Sequence, residues 1–233
     1  MNEPSPIQGG ASQDRPGATA AVFRGVGVAL VTIFGDDGEI DPGATGKLAG
    51  DLVARGMRAV LVCGSTGEAA TLTGPERIAL IEAVRGAVPP DIPVIAGTGA
   101  PSARQAAGLT GEAINAGADA VLAFPPPGSR DLSGYYRAVA SAAGRHPVLA
   151  YHFPRVSTPG IPVEALPGLP VTGVKDSSGD PDRLLDELAH YRGLTYVGSS
   201  AVLALAGSML ASARMAPAAP IGPARASTAD EPT

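Results

Sequence analysis

The sequence predicts an α/β fold built on a parallel sheet, and three features carry that reading. Short runs without a polar face, such as Ala59-Val60-Leu61-Val62-Cys63, read as strands covered by helices on their outer side. Seven such runs recur along the chain with amphipathic, helix-length segments between most of them, as a βα repeat requires. The 31 Gly and 23 Pro among 233 residues supply the many loops that short alternating elements need. Periodicity of this kind fits a closed barrel and an open sheet equally.

Taken in order, Val26 to Ile33 forms the first apolar run, closed by the turn signal Asp36-Asp37-Gly38. Pro42 opens a helix over 43–55, and the second strand covers 59–63. Thr73-Gly74-Pro75-Glu76 starts a helix that runs to Gly86, followed by a strand at 94–96. A helix over 102–116 leads to a strand at 120–123, and a helix over 131–144 to a strand at 147–151. The sixth strand is 171–175, the next helix 180–190, the seventh strand 195–198, and a last helix is expected over 200–212. The domain plan is a flexible tail over 1–22, a βα domain over 23–211 and a disordered tail over 212–233, where Pro217, Pro220 and Pro223 punctuate Ala-, Arg- and Ser-rich text. No eighth strand-helix unit is legible after Ser212.

Composition narrows the function. A net charge of -5 argues against a nucleic-acid surface, and no apolar run has membrane length. With Cys63 as the one cysteine, an intrachain disulfide and a cysteine metal cluster are both excluded. The three histidines, His146, His152 and His190, are scattered without metal-ligand spacing. The start Met-Asn-Glu-Pro lacks the basic and apolar regions of a signal peptide, so the expected compartment is the cytoplasm.

In parallel βα folds ligands bind beyond the carboxyl ends of the strands, so those positions are the ones to read. The second strand ends in Gly64-Ser65-Thr66-Gly67-Glu68, whose adjacent hydroxyls and amides suit a small carboxylate or phosphate; ordinary loop chemistry explains them as well. The sixth strand ends in Val174-Lys175-Asp176-Ser177-Ser178-Gly179. Of the 17 basic residues only Lys47 and Lys175 are lysines, and Lys47 lies on an amphipathic helix. An amine that must lose its proton and attack a carbonyl can be Lys but not Arg. A structural ion pair at the strand end is the plainer account of Lys175. Tyr151-His152-Phe153-Pro154 closes the fifth strand and offers a phenol for proton transfer, or simply an aromatic rim.

Together the motifs at 64–68, 151–154 and 174–179 resemble the dihydrodipicolinate synthase / N-acetylneuraminate lyase family of pyruvate-type class I aldolases. Gly27 to Asp41, Pro93 to Gly99 and Asn115 to Ala120 are similar to that family too, and the likeness extends over roughly 25–210. The resemblance implies a TIM (β/α)8 barrel, here incomplete at its eighth unit and C-terminal helices, and assembly as a homodimer or homotetramer. It implies that Lys175 forms a Schiff base with a small 2-oxo acid such as pyruvate. Tyr151 then shuttles protons, and Ser65, Thr66 and Gly67 hold the acid's carboxylate. His152 and Arg155 fall where a contact to the second substrate, an aldehyde, is expected. No metal or organic cofactor is implied, because the imine itself is the electron sink.

Three departures favour a broader 2-oxo-acid aldolase or lyase over the synthase, one of them His152 in the place of the family's asparagine. Ala123-Phe124-Pro125-Pro126-Pro127 has no hydroxyl where the family's relay tyrosine stands. The place of its carboxylate-gripping arginine falls at Val156, one position beyond Arg155. The alternative is a non-catalytic, truncated relative that binds a small acid or serves as a subunit of a larger assembly.

Overall fold

The structure, a computed structural model, describes residues 21–198. The tail expected over 1–22 falls almost wholly outside the described residues, as do the helix expected over 200–212 and the tail expected over 212–233.

Seven strands stand side by side in chain order, every neighbouring pair parallel. They are β1 (Val28–Ala29), β2 (Val60–Val62), β3 (Val94–Gly97), β4 (Ala120–Ala123), β5 (Val148–His152), β6 (Gly173–Asp176) and β7 (Leu194–Val197). The α-helices are α1 (Pro42–Ala54), α2 (Gly74–Ala87), α3 (Ala103–Asn115), α4 (Leu132–Ala143) and α5 (Pro181–His190). Two short 3₁₀ turns add to these: Ser65–Gly67 after β2, and Val163–Gly168, which takes the place of a full helix between β5 and β6. Pro159, Pro162 and Pro167 account for the latter, since proline withholds the amide that a longer helix needs.

Each α-helix begins on a side-chain cap. Asp41 accepts from Ala44 N at 2.8 Å, Ser102 from Gln105 N at 3.2 Å and Asp131 from Gly134 N at 2.7 Å. Thr73 and Glu76 form a reciprocal capping box, and Asp180 accepts from Asp182 N at 2.9 Å. Each cap contributes about 1 kcal/mol to a helix start.

Alternation along the strands sorts the apolar residues into two cores. Val60, Val62, Val94, Ala96, Val121, Val148, Ala150 and Val174 face the helices and pack with Leu80, Val84, Tyr136 and Val139. Leu61, Ile95, Leu122, Leu149 and Tyr151 face the other way into a second cluster, the concave interior of the curled sheet. The sheet curls toward a (β/α)8 barrel without closing one: among the described residues β1 and β7 are its two edges. The segment ahead of β1 spans the gap between them. Val22 and Phe23 pack on the inner cluster, so part of the expected tail is built into the domain. The Phe23 ring stacks on Tyr196 of β7 with centroids 4.6 Å apart. The Tyr196 hydroxyl donates to Phe23 O at 3.2 Å and accepts from Phe23 N at 3.3 Å.

The first strand is shorter than its apolar run. Only Val28 and Ala29 pair with β2; after Leu30 N donates to Leu61 O the chain bends away, and Phe34 bridges back to Ile40.

Candidate active site

Register brings the site together. Tyr151, Lys175 and Tyr196 are Cα partners across β5, β6 and β7, so their side chains stand in one row on the inner face at the carboxyl ends of the strands. The Lys175 Nζ donates to Ser177 Oγ at 2.9 Å and lies 4.0 Å from the centroid of the Tyr151 ring, the distance of a cation–π contact. That ring stacks on Phe153 at 5.6 Å and meets Phe124 edge-on at 6.2 Å, so its position is set by apolar packing. Among the described residues its hydroxyl has no hydrogen-bond partner, which leaves it available to a ligand.

The Ser65–Thr66 turn forms the opposite side. Gly67 N donates to Gly64 O at 3.0 Å, Glu68 N to Ser65 O at 3.3 Å and Ala69 N to Gly64 O at 3.2 Å. These bonds consume the amides of Gly67 and the two residues after it. The donors left without a partner among the described residues are the amides and hydroxyls of Ser65 and Thr66, both exposed. At Gly67, expected to help hold the carboxylate, the turn closely approaches the segment that follows β1: a Cβ there would lie 2.9 Å from Leu30 O. A cavity of about 1020 Å³ joins this turn to the aromatic row, lined by Gly64, Ser65, Leu122, Phe124, Tyr151 and Val156 among others. Lys175 is not on its wall. The amine is seated against Tyr151 and Ser177, and reaching a ligand in the cavity requires it to leave Ser177.

The two residues expected at a second substrate stand apart from this group. His152 follows Tyr151 in a strand and therefore faces the helices; it is buried, with Nδ1 accepting from Ile161 N at 2.9 Å. Burial, reinforced by the nearby Arg183 charge, pushes its imidazole down to about 4, so it is neutral near pH 7. Arg155 is exposed and off the cavity wall, while its neighbour Val156 lines it.

His152 belongs to a buried polar cluster behind Lys175. Asp176 accepts from Ser178 N and Oγ, each at 2.6 Å, and from Arg183 Nε at 2.7 Å. Burial raises the Asp176 carboxyl, but the Ser178 hydrogen bonds, with the His152 and Arg183 contributions, outweigh it and hold the carboxyl below its ordinary value. Arg183 also places Nη2 2.8 Å from Glu187 Oε1, a close charge pair whose angles are not those of a hydrogen bond. One guanidinium cannot neutralise two carboxylates in a dry site. Burial first, then the Asp176 charge, push Glu187 up to about 8 despite Arg183.

Below pH 4.5 folded and unfolded chains both hold the Glu187 proton; as pH rises toward 8 only the folded chain does, so stability falls across that window. Glu187→Gln is therefore expected to raise the melting temperature by about 5 °C or more at pH 8.5 and to change it little at pH 5. Thermal melts of both chains over that range check it, and equal shifts at both ends contradict it.

Gly198, beyond β7, was not legible as a site residue. A Cβ there would lie 2.6 Å from Ser177 Oγ and 3.0 Å from Lys175 Nζ, so glycine keeps the space in which the amine sits. The only sequence signal is a glycine one residue past a strand end. Gly198→Ala is expected to cut any reaction at Lys175 at least about tenfold with little loss of stability, which single-turnover kinetics beside a thermal melt would read.

Residues 22–219 match the model of the Dihydrodipicolinate synthetase family. A 4-hydroxy-tetrahydrodipicolinate synthase from Synechococcus sp. (strain WH7803) is 42% identical over 130 residues, 54% of this chain and 43% of that protein. The chain thus matches less than half the length of that relative. Among solved structures, dihydrodipicolinate synthase from Cyanidioschyzon merolae superposes with a TM-score of 0.75 at 29% identity, over 81% of this chain and 68% of that one. The chloride inhibited dihydrodipicolinate synthase from Acinetobacter baumannii, complexed with pyruvate, gives 0.68 at 32% identity over 75% and 63%. With the half-barrel, the lysine at the end of β6 and a family model matched over most of its length, this chain belongs to the dihydrodipicolinate synthetase family.

Proposed function

We propose that the chain is a Schiff-base-forming aldolase or lyase that joins a small 2-oxo acid such as pyruvate to an aldehyde, or cleaves the adduct. The observation that carries this reading is the Lys175 amine 4.0 Å from the ring of Tyr151, a residue that lines a cavity whose other wall presents Ser65, a donor without a partner among the described residues. A pyruvate complex of the Acinetobacter relative supports the choice of acid.

The Lys175 amine, after giving up a proton to solvent, attacks the keto carbon, the carbonyl oxygen leaves as water after taking up two protons, and an iminium remains. Ser65 and Thr66 donors hold the carboxylate and orient that carbon. Loss of a C3 proton gives the enamine, with the Tyr151 hydroxyl as the group that carries protons. The enamine carbon then forms a bond to the aldehyde carbon, whose oxygen takes up a proton, and water releases the product and returns the amine. Cleavage runs the same steps backward.

Exchange of the pyruvate methyl protons in D₂O, followed by proton NMR, tests enamine formation without knowing the aldehyde. Exchange that disappears in Tyr151→Phe and Lys175→Ala supports the reading; no exchange above the buffer rate rejects turnover. A second reading, a chain that binds a small acid without turning it over, is favoured by the seating of Lys175 off the cavity wall. It predicts saturable pyruvate binding with no exchange.

A further inference from the structure

The turn that carries Ser65 and Thr66 is gripped from two sides. From the segment that follows β1, Thr32 Oγ1 donates to Gly67 O at 2.7 Å in a buried bond. From α2, one guanidinium reaches three backbone carbonyls: Arg77 Nε donates to Leu72 O at 3.4 Å, Nη1 to Gly97 O at 3.2 Å, and Nη2 to Ala69 O. Ala69 and Leu72 bound the segment that leaves the turn, and Gly97 is the last residue of β3. Gly97 in turn lies directly against the start of the turn, where a Cβ would overlap the Cys63 carbonyl oxygen and come within 3.2 Å of Gly64 Cα. Arg77 thus ties the far end of the loop to the strand on which its near end rests. Among the described residues its side chain pairs with no carboxylate, so all its directed bonds go to this frame. Only a planar fork with several donors can meet three carbonyls at once; a lysine amine in that place reaches fewer of them.

We propose that Arg77 is a positioning residue: through the Ala69–Leu72 segment and Gly97 it holds the free donors of Ser65 and Thr66 where they receive the carboxylate of the 2-oxo acid. The inference rests on the aldolase reading above and adds to it a residue outside the catalytic row. Its effect falls on capture of the acid and not on the chemistry at Lys175, because Arg77 touches the loop and not the amine.

The test is borohydride trapping across a range of pyruvate concentrations, read by intact mass, on the unsubstituted chain and on Arg77→Gln, Arg77→Lys and Thr32→Val, with a thermal melt of each. In Arg77→Gln the half-saturating pyruvate concentration is expected to rise about tenfold, while labelling at saturation reaches the same extent. Arg77→Lys is expected to fall between the two, and Thr32→Val, close in shape, to raise it about threefold. Should Arg77→Gln fail to fold, the lysine and Thr32 variants decide the matter. A lower melting temperature and smaller labelled fraction with unchanged half-saturation overturn the role and leave Arg77 a stabilising residue only. Equal half-saturation in all four chains overturns it too, while labelling of the unsubstituted chain keeps the aldolase reading. No labelling of the unsubstituted chain overturns that reading and the role of Arg77 with it.

Discussion

Lys175→Arg is expected to abolish pyruvate methyl-proton exchange, lowering it by about 10³-fold or more, while the chain still folds. Arginine keeps the length and positive charge that rest on the Tyr151 ring and Ser177, so packing at the end of β6 survives. What it lacks is a free pair of electrons on nitrogen near neutral pH, and without that no carbon–nitrogen bond forms. Lys47→Arg supplies the control: its amine is on the surface of α1, paired with Asp51 at 2.8 Å, and exchange is expected to be unchanged. The comparison is made by NMR on equal amounts of folded chain, judged by circular dichroism. Exchange retained in Lys175→Arg assigns the reaction to another group.

Removing Arg183 is expected to have the largest effect on stability. Its side chain is 12% exposed and lies between Asp176 at 5% and Glu187 at 0%. Arg183→Met leaves the Asp176 carboxylate in that site without its ion pair, a loss of about 3–5 kcal/mol. In a domain of this size that is roughly 10 °C in melting temperature. Two neutral groups need no partner cation, so Arg183→Met with Asp176→Asn is expected to recover much of the loss. Denaturant melts of the single and double variants measure the coupling directly. Additive losses would show that the pair is not the source of the stability. The consequence reaches the site as well, because Asp176 fixes Ser178 and the strand end that presents Lys175.

Much of this architecture was legible because local signals and tertiary demands agree. The Thr73–Glu76 capping box stands at the start of α2, and the strands at 120–123 and 94–97 lie within a residue of where the apolar runs put them. The first strand was overread because an apolar run reports burial and not pairing; Leu30 and Thr32 are buried beyond the two residues that β2 pairs. The orientation of His152 was legible in the sequence, because neighbours in a strand cannot share a face and Tyr151 precedes it. Which amides a tight turn spends on itself, that of Gly67 among them, is decided by its geometry and not by residue type.

Arg77, Arg183 and Glu187 had no local signature. Each sits on an amphipathic helix where a charged residue reads as a solvated face, and only the packing of α2 on β3 and of α5 behind β6 gives them partners. Gly198 is likewise defined by a neighbour more than twenty positions away, Lys175.

The central claim is a covalent bond between the Lys175 amine and the keto carbon of a 2-oxo acid. Peptide mass spectrometry after incubation with pyruvate and borohydride tests it most directly. The account predicts a reduced pyruvyl adduct on the peptide that contains Lys175, absent from the Lys47 peptide and from the Lys175→Ala chain. No adduct, or equal labelling of Lys175 and Lys47, would contradict it.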